Sequence, residues 1–572
     1  MTRMDRRKEI EDKKRKSRVK WLLLLVFIMS TLLFYFFGTD LFSRLMAPRQ
    51  EEETVSLVFN GMPGNIRVIE EQGIPFVPVE WVISHLLLEG ELVEGGQKVR
   101  WTPKSDRLYF SDPEMTARVR QTDFPVEINL LSVDDTSYFP LLSLQPLMNI
   151  EAVWFKEQAL LIVDQAGVPQ QQAQLEESTP LSKGRKKGDT QLTMLHAGDQ
   201  VRILEIYDKH YRVLTADGFT GYVPQSAVGG IRRVSTTAHA SILHGADYQE
   251  LPQPFGMVWD YVGGSHPNRS TDEIIAALQV FSPTWFELKN EEGDLENKGQ
   301  FRYVATMKAK GYHLWGLVTN AFDPDLTESF MLNEESRQRF INQLLVYAAL
   351  YELEGINIDF ENIHYRNQDL FTDFVKELSE ALRANGLTVS IDVTIPGGSL
   401  NWSQVYDRKA IEPHVDYFAV MTYDEHWGSS PIAGSVASIG WVEQGIATTL
   451  EEVPPEKVLL GLPLYTRLWE ETSRADGSIS VTSRAMGMQF IRRTLEDNGI
   501  TEDQWEWLDD IGQYYAEYET EGKRYRVWLE DERSLALKAT LIEKYGLAGF
   551  AAWRKDFEIP EVWETLGNLK QE

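Results

Sequence analysis

Apolar positions fall along the chain in four rhythms. Trp21 to Thr39 is a run with no charged side chain. Between 54 and 165, short alternating or β-branched runs are separated by Gly, Asp and Pro turns. Phe76–Val79, Val99–Trp101 and Leu108–Phe110 are echoed by Phe139–Leu141, Ala152–Trp154 and Leu160–Val163, a weak internal repeat that predicts a small α+β or β-rich unit. Residues 166–182 are Gln-rich and Pro-punctuated and read as a linker. Over 183–232, Gly198–Leu204, Tyr211–Leu214 and Thr220–Pro224, with a turn at Asp217-Gly218, predict a small β-barrel.

The last rhythm occupies 240–572 and is clearest from 255 onward. Short apolar strands alternate there with amphipathic helices. The predicted strands are Gly256–Trp259, Leu278–Phe281, His313–Val318, Gly355–Glu361, Thr388–Ile391, Tyr417–Met421, Val458–Gly461 and Ala548–Ala551. One intervening helix carries Phe371, Phe374, Val375, Leu378 and Leu382 on a single face and stops at Asn385-Gly386; another carries Phe340, Ile341, Leu344, Leu345 and Ala348. Eight such strands predict a (β/α)8 TIM barrel, with a Trp- and Tyr-rich insertion over about 470–540. An open doubly wound sheet is the alternative, and no Gly-rich phosphate loop supports it.

Composition and charge sharpen this multidomain picture. The 572 residues carry a net charge of −29, yet residues 1–20 hold ten Lys and Arg against four acids. The nineteen residues after that basic segment reach roughly 28 Å as a helix, about one hydrocarbon core. The cations in front of them predict a single transmembrane helix at 21–39, with 1–20 cytoplasmic and the rest outside the cell membrane. A cleaved signal peptide would have a shorter apolar core and a small-residue site, which Gly38–Phe42 does not offer. The acidic remainder repels phosphate backbones, which argues against nucleic acid as a partner. With no Cys, disulfides, thiol catalysis and Cys-ligated zinc are excluded. His414 and His426 are isolated and read as structural, and no metal or cofactor is expected.

The chemistry concentrates in Glu354-Gly-Ile-Asn-Ile-Asp-Phe-Glu-Asn362. Strand alternation puts Asn357, Asp359 and Glu361 on one face, and Ile356, Ile358 and Phe360 on the other. In a barrel strand the polar set faces the axis. Glu361 falls at the C-terminal end, where barrel active sites lie. An anionic Asp359 beside it would raise its pKa, so that it could hold a proton as a general acid.

These residues resemble glycoside hydrolase family 18, the chitinase-like barrels, whose fourth strand carries D-x-x-D-x-D-x-E. Glu354, Asn357, Asp359 and Glu361 occupy that frame. The last two agree, while Glu and Asn replace the first two acids. The resemblance extends to Met421-Thr422-Tyr423-Asp424, to Leu462–Thr466 and to Ala551–Arg554, and covers about 255–572. It implies that Glu361 protonates the glycosidic oxygen, and that Asp359 and Tyr423 assist an attack by the substrate's own acetamido group. It further implies that Met421, Asp424, Tyr465, Trp553 and Asn357 line the substrate site. Residues 54–165 are similar to the stalk module at the N-terminus of copper amine oxidases, with no His cluster to imply copper. Residues 183–232 resemble a bacterial SH3-like domain, which implies a wall-peptide partner.

The expected function is thus a membrane-anchored extracellular glycosidase acting on an N-acetylated glycan. Peptidoglycan is favoured because an anchor, a stalk and a wall-type SH3-like domain would hold the barrel at the cell wall. The barrel's resemblance to a branch of the family found in endospore formers points to wall remodelling or sporulation. A chitin or chitooligosaccharide hydrolase, or a glycan-binding scaffold with weak catalysis, remains open.

Overall fold

The computed structural model describes residues 55–87, 90–102, 124–148, 150–235, 251–264 and 266–568. The expected membrane helix at 21–39 and the strand at Leu108–Phe110 lie outside these residues. Among the described residues no helix is long and apolar enough to cross a membrane.

The N-terminal unit is built around a seven-stranded sheet. The two copies of the repeat meet within it, where Ile74–Pro78 pairs antiparallel with Thr136–Pro140. After each of these strands the chain enters a short helix, Val79–His85 or the 3-10 turn Leu141–Leu147. The second seven-stranded sheet runs from Pro169 to Ser235. Here the reading of 166–182 as a linker fails. Pro169–Leu175 and Thr179–Ser182 are strands, and the former pairs with both Gln200–Ile206 and Val228–Ser235. The two units share apolar surface, since Val58, Leu160 and Ile162 of one pack with Leu204 and Leu214 of the other. An ion pair between Arg202 and Asp164 closes the same seam.

The C-terminal part is a closed barrel of eight parallel strands: β1 (Phe255–Asp260), β2 (Val280–Leu288), β3 (His313–Thr319), β4 (Gly355–Asp359), β5 (Thr388–Thr394), β6 (Tyr417–Met421), β7 (Val458–Pro463) and β8 (Gly549–Trp553). Each pairs with the next, β8 returns to β1, and β1 pairs with β2. All eight predicted strands are present. Inward-facing Phe255, Met257, Trp259, Trp315, Leu317, Tyr417, Ala419 and Ala551 fill the barrel as a packed core. Outward-facing Phe360 packs among Phe340, Phe371 and Phe374 of the helices. The apolar faces read from Gln368–Ala384 and Glu334–Leu350 are buried as predicted. The insertion is wider at its start than predicted and ends earlier. It comprises a five-stranded antiparallel sheet from Tyr465 to Leu529 and the helix Met488–Asp497.

The N-terminal sheet unit docks on the barrel beside β2. Asn129 Nδ2 donates to the carbonyls of Asn297 (3.1 Å) and Gly299 (2.8 Å), and Asn297 Nδ2 donates back to the Glu127 carbonyl (2.8 Å). A Cβ at Gly299 would lie 2.5 Å from the Tyr351 ring, so only glycine lets the backbone approach this closely.

Candidate active site

The strand β4 ends at Asp359, and Glu361 lies two residues beyond it. Its backbone is clamped in both directions by Asn320, just past the end of β3. Glu361 N–H donates to Asn320 Oδ1 (3.0 Å), and Asn320 Nδ2 donates to the Glu361 carbonyl (2.7 Å). The same Nδ2 reaches Thr327 Oγ1 at 2.9 Å. Tyr406 donates to the neighbouring Phe360 carbonyl at 2.9 Å. The turn that carries the acid is therefore fixed by side chains on either flank.

Beneath Glu361 lies a buried polar layer. Asn357 is fully enclosed and makes four hydrogen bonds. Its Oδ1 accepts from Trp259 Nε1 (2.8 Å) and Ser282 Oγ (3.1 Å), and its Nδ2 donates to Ser390 Oγ (3.0 Å) and Asp392 Oδ1 (2.7 Å). An amide offers two donors and two acceptor positions, so none is left for a sugar. The expectation that Asn357 contacts substrate is therefore corrected: it orients Asp392 from below. Trp259 Nε1 also donates to Asp392 Oδ2, at 3.1 Å.

Asp359 and Asp392 face each other in this enclosure. Burial first, and the Asp392 charge second, push the Asp359 carboxyl well above the usual range; burial does the same to Asp392. The donors Asn357 and Trp259 pull Asp392 back toward its anion, and no such donor offsets burial at Asp359. Glu361 is pushed well above the ordinary carboxyl range too. Burial is the main cause, followed by the charges of Asp359 and Asp424. The neighbouring anion that the sequence suggested as the cause thus ranks behind desolvation.

The chain after β6 closes the site from the far side. Tyr423 is held protonated by burial and by the surrounding acids, which makes it a hydrogen-bond donor. Its ring meets Tyr465 edge-on at 6.2 Å between centroids. Asp424 is exposed, with φ of 64°, a left-handed conformation that is costly for a non-glycine residue. It is anchored by Tyr465 Oη (2.7 Å) and Arg467 Nη2 (3.0 Å). Tyr465 itself is buried with its hydroxyl committed to Asp424, so it supports that carboxylate rather than lining an open groove. Met421 is half-buried at the end of β6. Trp553, also half-buried, ends β8 and packs at 6.0 Å against Trp259, which links it to the Asn357 layer.

Asp392, Ser390, Trp259, Ser282 and Asn320 were not singled out from the sequence. A signal for two of them was there. Thr388–Thr394 alternates as β4 does, with Ser390 and Asp392 sharing one face. As for metals, the fold does bring Asp325, Glu328 and His364 together at the surface. His364 already pairs with Asp325 (2.7 Å) and Glu328 with Arg366 (2.5 Å).

The pattern of the glycosyl hydrolases family 18 matches residues 269–558, just over half of the chain. The chain is 29% identical to the glycosylase YvbX of Bacillus subtilis (strain 168), over 48% of this chain and 78% of that protein. It is 26% identical to the cortical fragment-lytic enzyme of Bacillus anthracis, over 52% of this chain and 69% of the relative. Among solved structures, the spore cortex-lytic enzyme SleL of Bacillus cereus is 21% identical, covering 55% of this chain and 74% of that chain at a TM-score of 0.49. With its eight-stranded parallel barrel, this protein belongs to glycoside hydrolase family 18 and is a glycosidase.

Proposed function

We propose that the chain hydrolyses β-1,4 bonds next to N-acetylglucosamine in peptidoglycan, with net retention and with the substrate's acetamido group as nucleophile. The observation that carries this is the acid cluster at the C-terminal end of the barrel: burial first, and then the charges of Asp359 and Asp424, disfavour the Glu361 anion, and Glu361 forms no ion pair among the described residues. Glu361 gives that proton to the glycosidic oxygen as the C1–O bond breaks. The acetamido oxygen of the same sugar bonds to C1, and Asp359 and Tyr423 hold the acetamide in line. Water then attacks C1, returns a proton to Glu361 and releases the acetamide. Trp553 floors the sugar, and Asp424 and Met421 flank it. The wall-type substrate is supported by the curated relatives named as cortical fragment-lytic enzymes. Residues 21–39 would hold the barrel outside the cell membrane, and carbonate-resistant retention in the membrane fraction checks that placement.

The test incubates the full-length chain and its Glu361→Gln variant with purified peptidoglycan and with chitin oligosaccharides, and identifies products by mass spectrometry. The expected loss in kcat is about 10²–10⁴-fold. Cleavage of chitin alone would transfer the same mechanism to the other substrate. Equal product from both proteins would sink the assignment of Glu361.

A further inference from the structure

A cavity of about 480 Å³ lies where the N-terminal sheet unit meets the barrel. Neither part forms it alone: Lys98, Asn129 and Leu131 come from one side, and Val262–Gly264, Lys298 and Arg302 from the other. Its size is that of a site for a small ligand. The lining brings three cations, Lys98, Lys298 and Arg302, together with one carboxylate, Glu296, in a chain whose net charge is −29. His266 adds no charge, because burial lowers its pKa. Lys98 is paired with Glu94 at 2.9 Å and Arg302 with Glu71. Lys298 is held more loosely, 3.8 and 3.9 Å from Glu287 and Glu296, beyond hydrogen-bonding distance.

The cavity mouth adjoins the active face. Val262–Gly264 follow directly from β1, and the half-exposed Tyr261 ring stands between them and Arg554, whose guanidinium lies 4.7 Å from that ring. Arg554 is the residue after Trp553. Arg554 and Tyr261 thus connect Trp553 to the Gly263 edge of the cavity on the β1 side. Gly263 and Gly264 are exposed at the mouth, and a Cβ at Gly264 would meet nothing within 4 Å. This leaves room for a branch to enter. Phe76, Leu131 and Phe301 supply apolar wall between the cations and amides.

We infer that this cavity receives an acidic peptide branch of the glycan, a short stem whose carboxylate meets Lys298 and whose apolar side chain meets the Phe76–Phe301 wall. The inference rests on the glycan-hydrolase reading above and deepens it: the N-terminal unit acts as a specificity element rather than a spacer. An unbranched N-acetylglucosamine polymer leaves the cavity empty.

The full-length chain and two variants test this. Lys298→Ala removes the loosest cation, and Gly264→Trp plugs the mouth without changing charge; Lys298→Arg serves as the conservative rescue. The readout is the ratio of kcat/KM for peptide-bearing glycan over the same glycan stripped of its stems. It is expected to fall about tenfold in the Ala and Trp variants and to recover in the Arg variant. Muramyl dipeptide titrated by calorimetry gives an independent readout, with saturable binding to the parent chain and none to Gly264→Trp. A ratio near one in the parent chain, or heat of binding that survives the plug, overturns the inference. Absence of hydrolysis on every glycan would overturn the glycosidase reading instead, and the dipeptide titration would still decide the cavity.

Discussion

Two clusters of buried acids in this molecule have opposite surroundings. Where the insertion joins the helix Glu532–Tyr545, Glu530 is enclosed with Lys538, whose Nζ lies 3.0 and 2.9 Å from its two oxygens. Gln513 and Ser534 each donate to Glu530 at 2.6 Å. Burial pushes that carboxyl up, and Lys538 pulls it back. At the barrel mouth, Asp359 and Asp392 are buried and Glu361 is partly so, yet none of the three forms an ion pair among the described residues. The structural acid is compensated, so that its charge is tolerated. The mouth acids are left uncompensated, and the protein answers by retaining protons. A raised carboxyl pKa is what a general acid needs, so the missing ion pair is the feature on which the proposed role of Glu361 rests.

The sharpest way to break this comparison is to remove the compensation from the first cluster. Lys538→Met strands a buried carboxylate and should cost about 3–5 kcal/mol in urea unfolding. Activity per folded molecule should hold. A variant of normal stability that lost activity would reverse the roles assigned to the two clusters.

Next in size is the clamp on the catalytic turn. Asn320→Ala removes both hydrogen bonds to the Glu361 backbone but leaves the carboxyl in place. Loss of positioning should lower kcat about tenfold with little change in KM. Asn320→Asp should recover the N–H contact alone and part of the rate. A fall confined to KM would mean that Asn320 touches substrate instead.

How far such features can be read from sequence depends on how local they are. Strand alternation is local, which is why Glu361 and Asp359 could be placed on the axis of a barrel strand. Helix faces such as Phe371–Leu382 are local as well. The partners of those acids come from other strands: Asp392 from β5, Trp259 from β1, Asn320 from past β3. Nothing near residue 361 announces them. The polar stretch after 166 failed for a different reason. A bulge between Gln172 and Gln174 breaks the period of two, so Gln170, Ala173 and Leu175 all turn inward and the strand reads as a linker. That burial outranks the neighbouring charge in raising the Glu361 pKa depends on the assembled barrel, which the sequence pattern does not rank.

Holding uncompensated acids has a stability cost, which pH should expose. Carboxyls whose folded pKa lies above the unfolded value bind more protons when native, so their contribution to stability falls as pH rises from about 4 through the folded pKa. Glu361→Gln removes one such group. It should be more stable than the parent by about 1 kcal/mol at alkaline pH, with the gap closing toward pH 4. Parallel stability curves from pH 4 to 9 would mean that Glu361 titrates normally and carries no stored proton.

The smallest expected effect belongs to Asn357, one of the two positions that depart from the family signature. In Asn357→Asp, a carboxylate replaces the amide that donates to Asp392 at 2.7 Å. Two carboxyls in contact share a proton, so the hydrogen bond survives while the layer beneath Asp359 becomes one acid richer. As that layer ionises it opposes the Glu361 anion further. The alkaline limb of kcat/KM, which reports loss of the proton from Glu361, should then move to higher pH by less than about one unit. The rate at the optimum should change by no more than about threefold, because no group that touches the sugar is altered. A limb that moved to lower pH would show that Asn357 already acts as an electrostatic burden, and that the acids at the barrel mouth are held apart by more than burial.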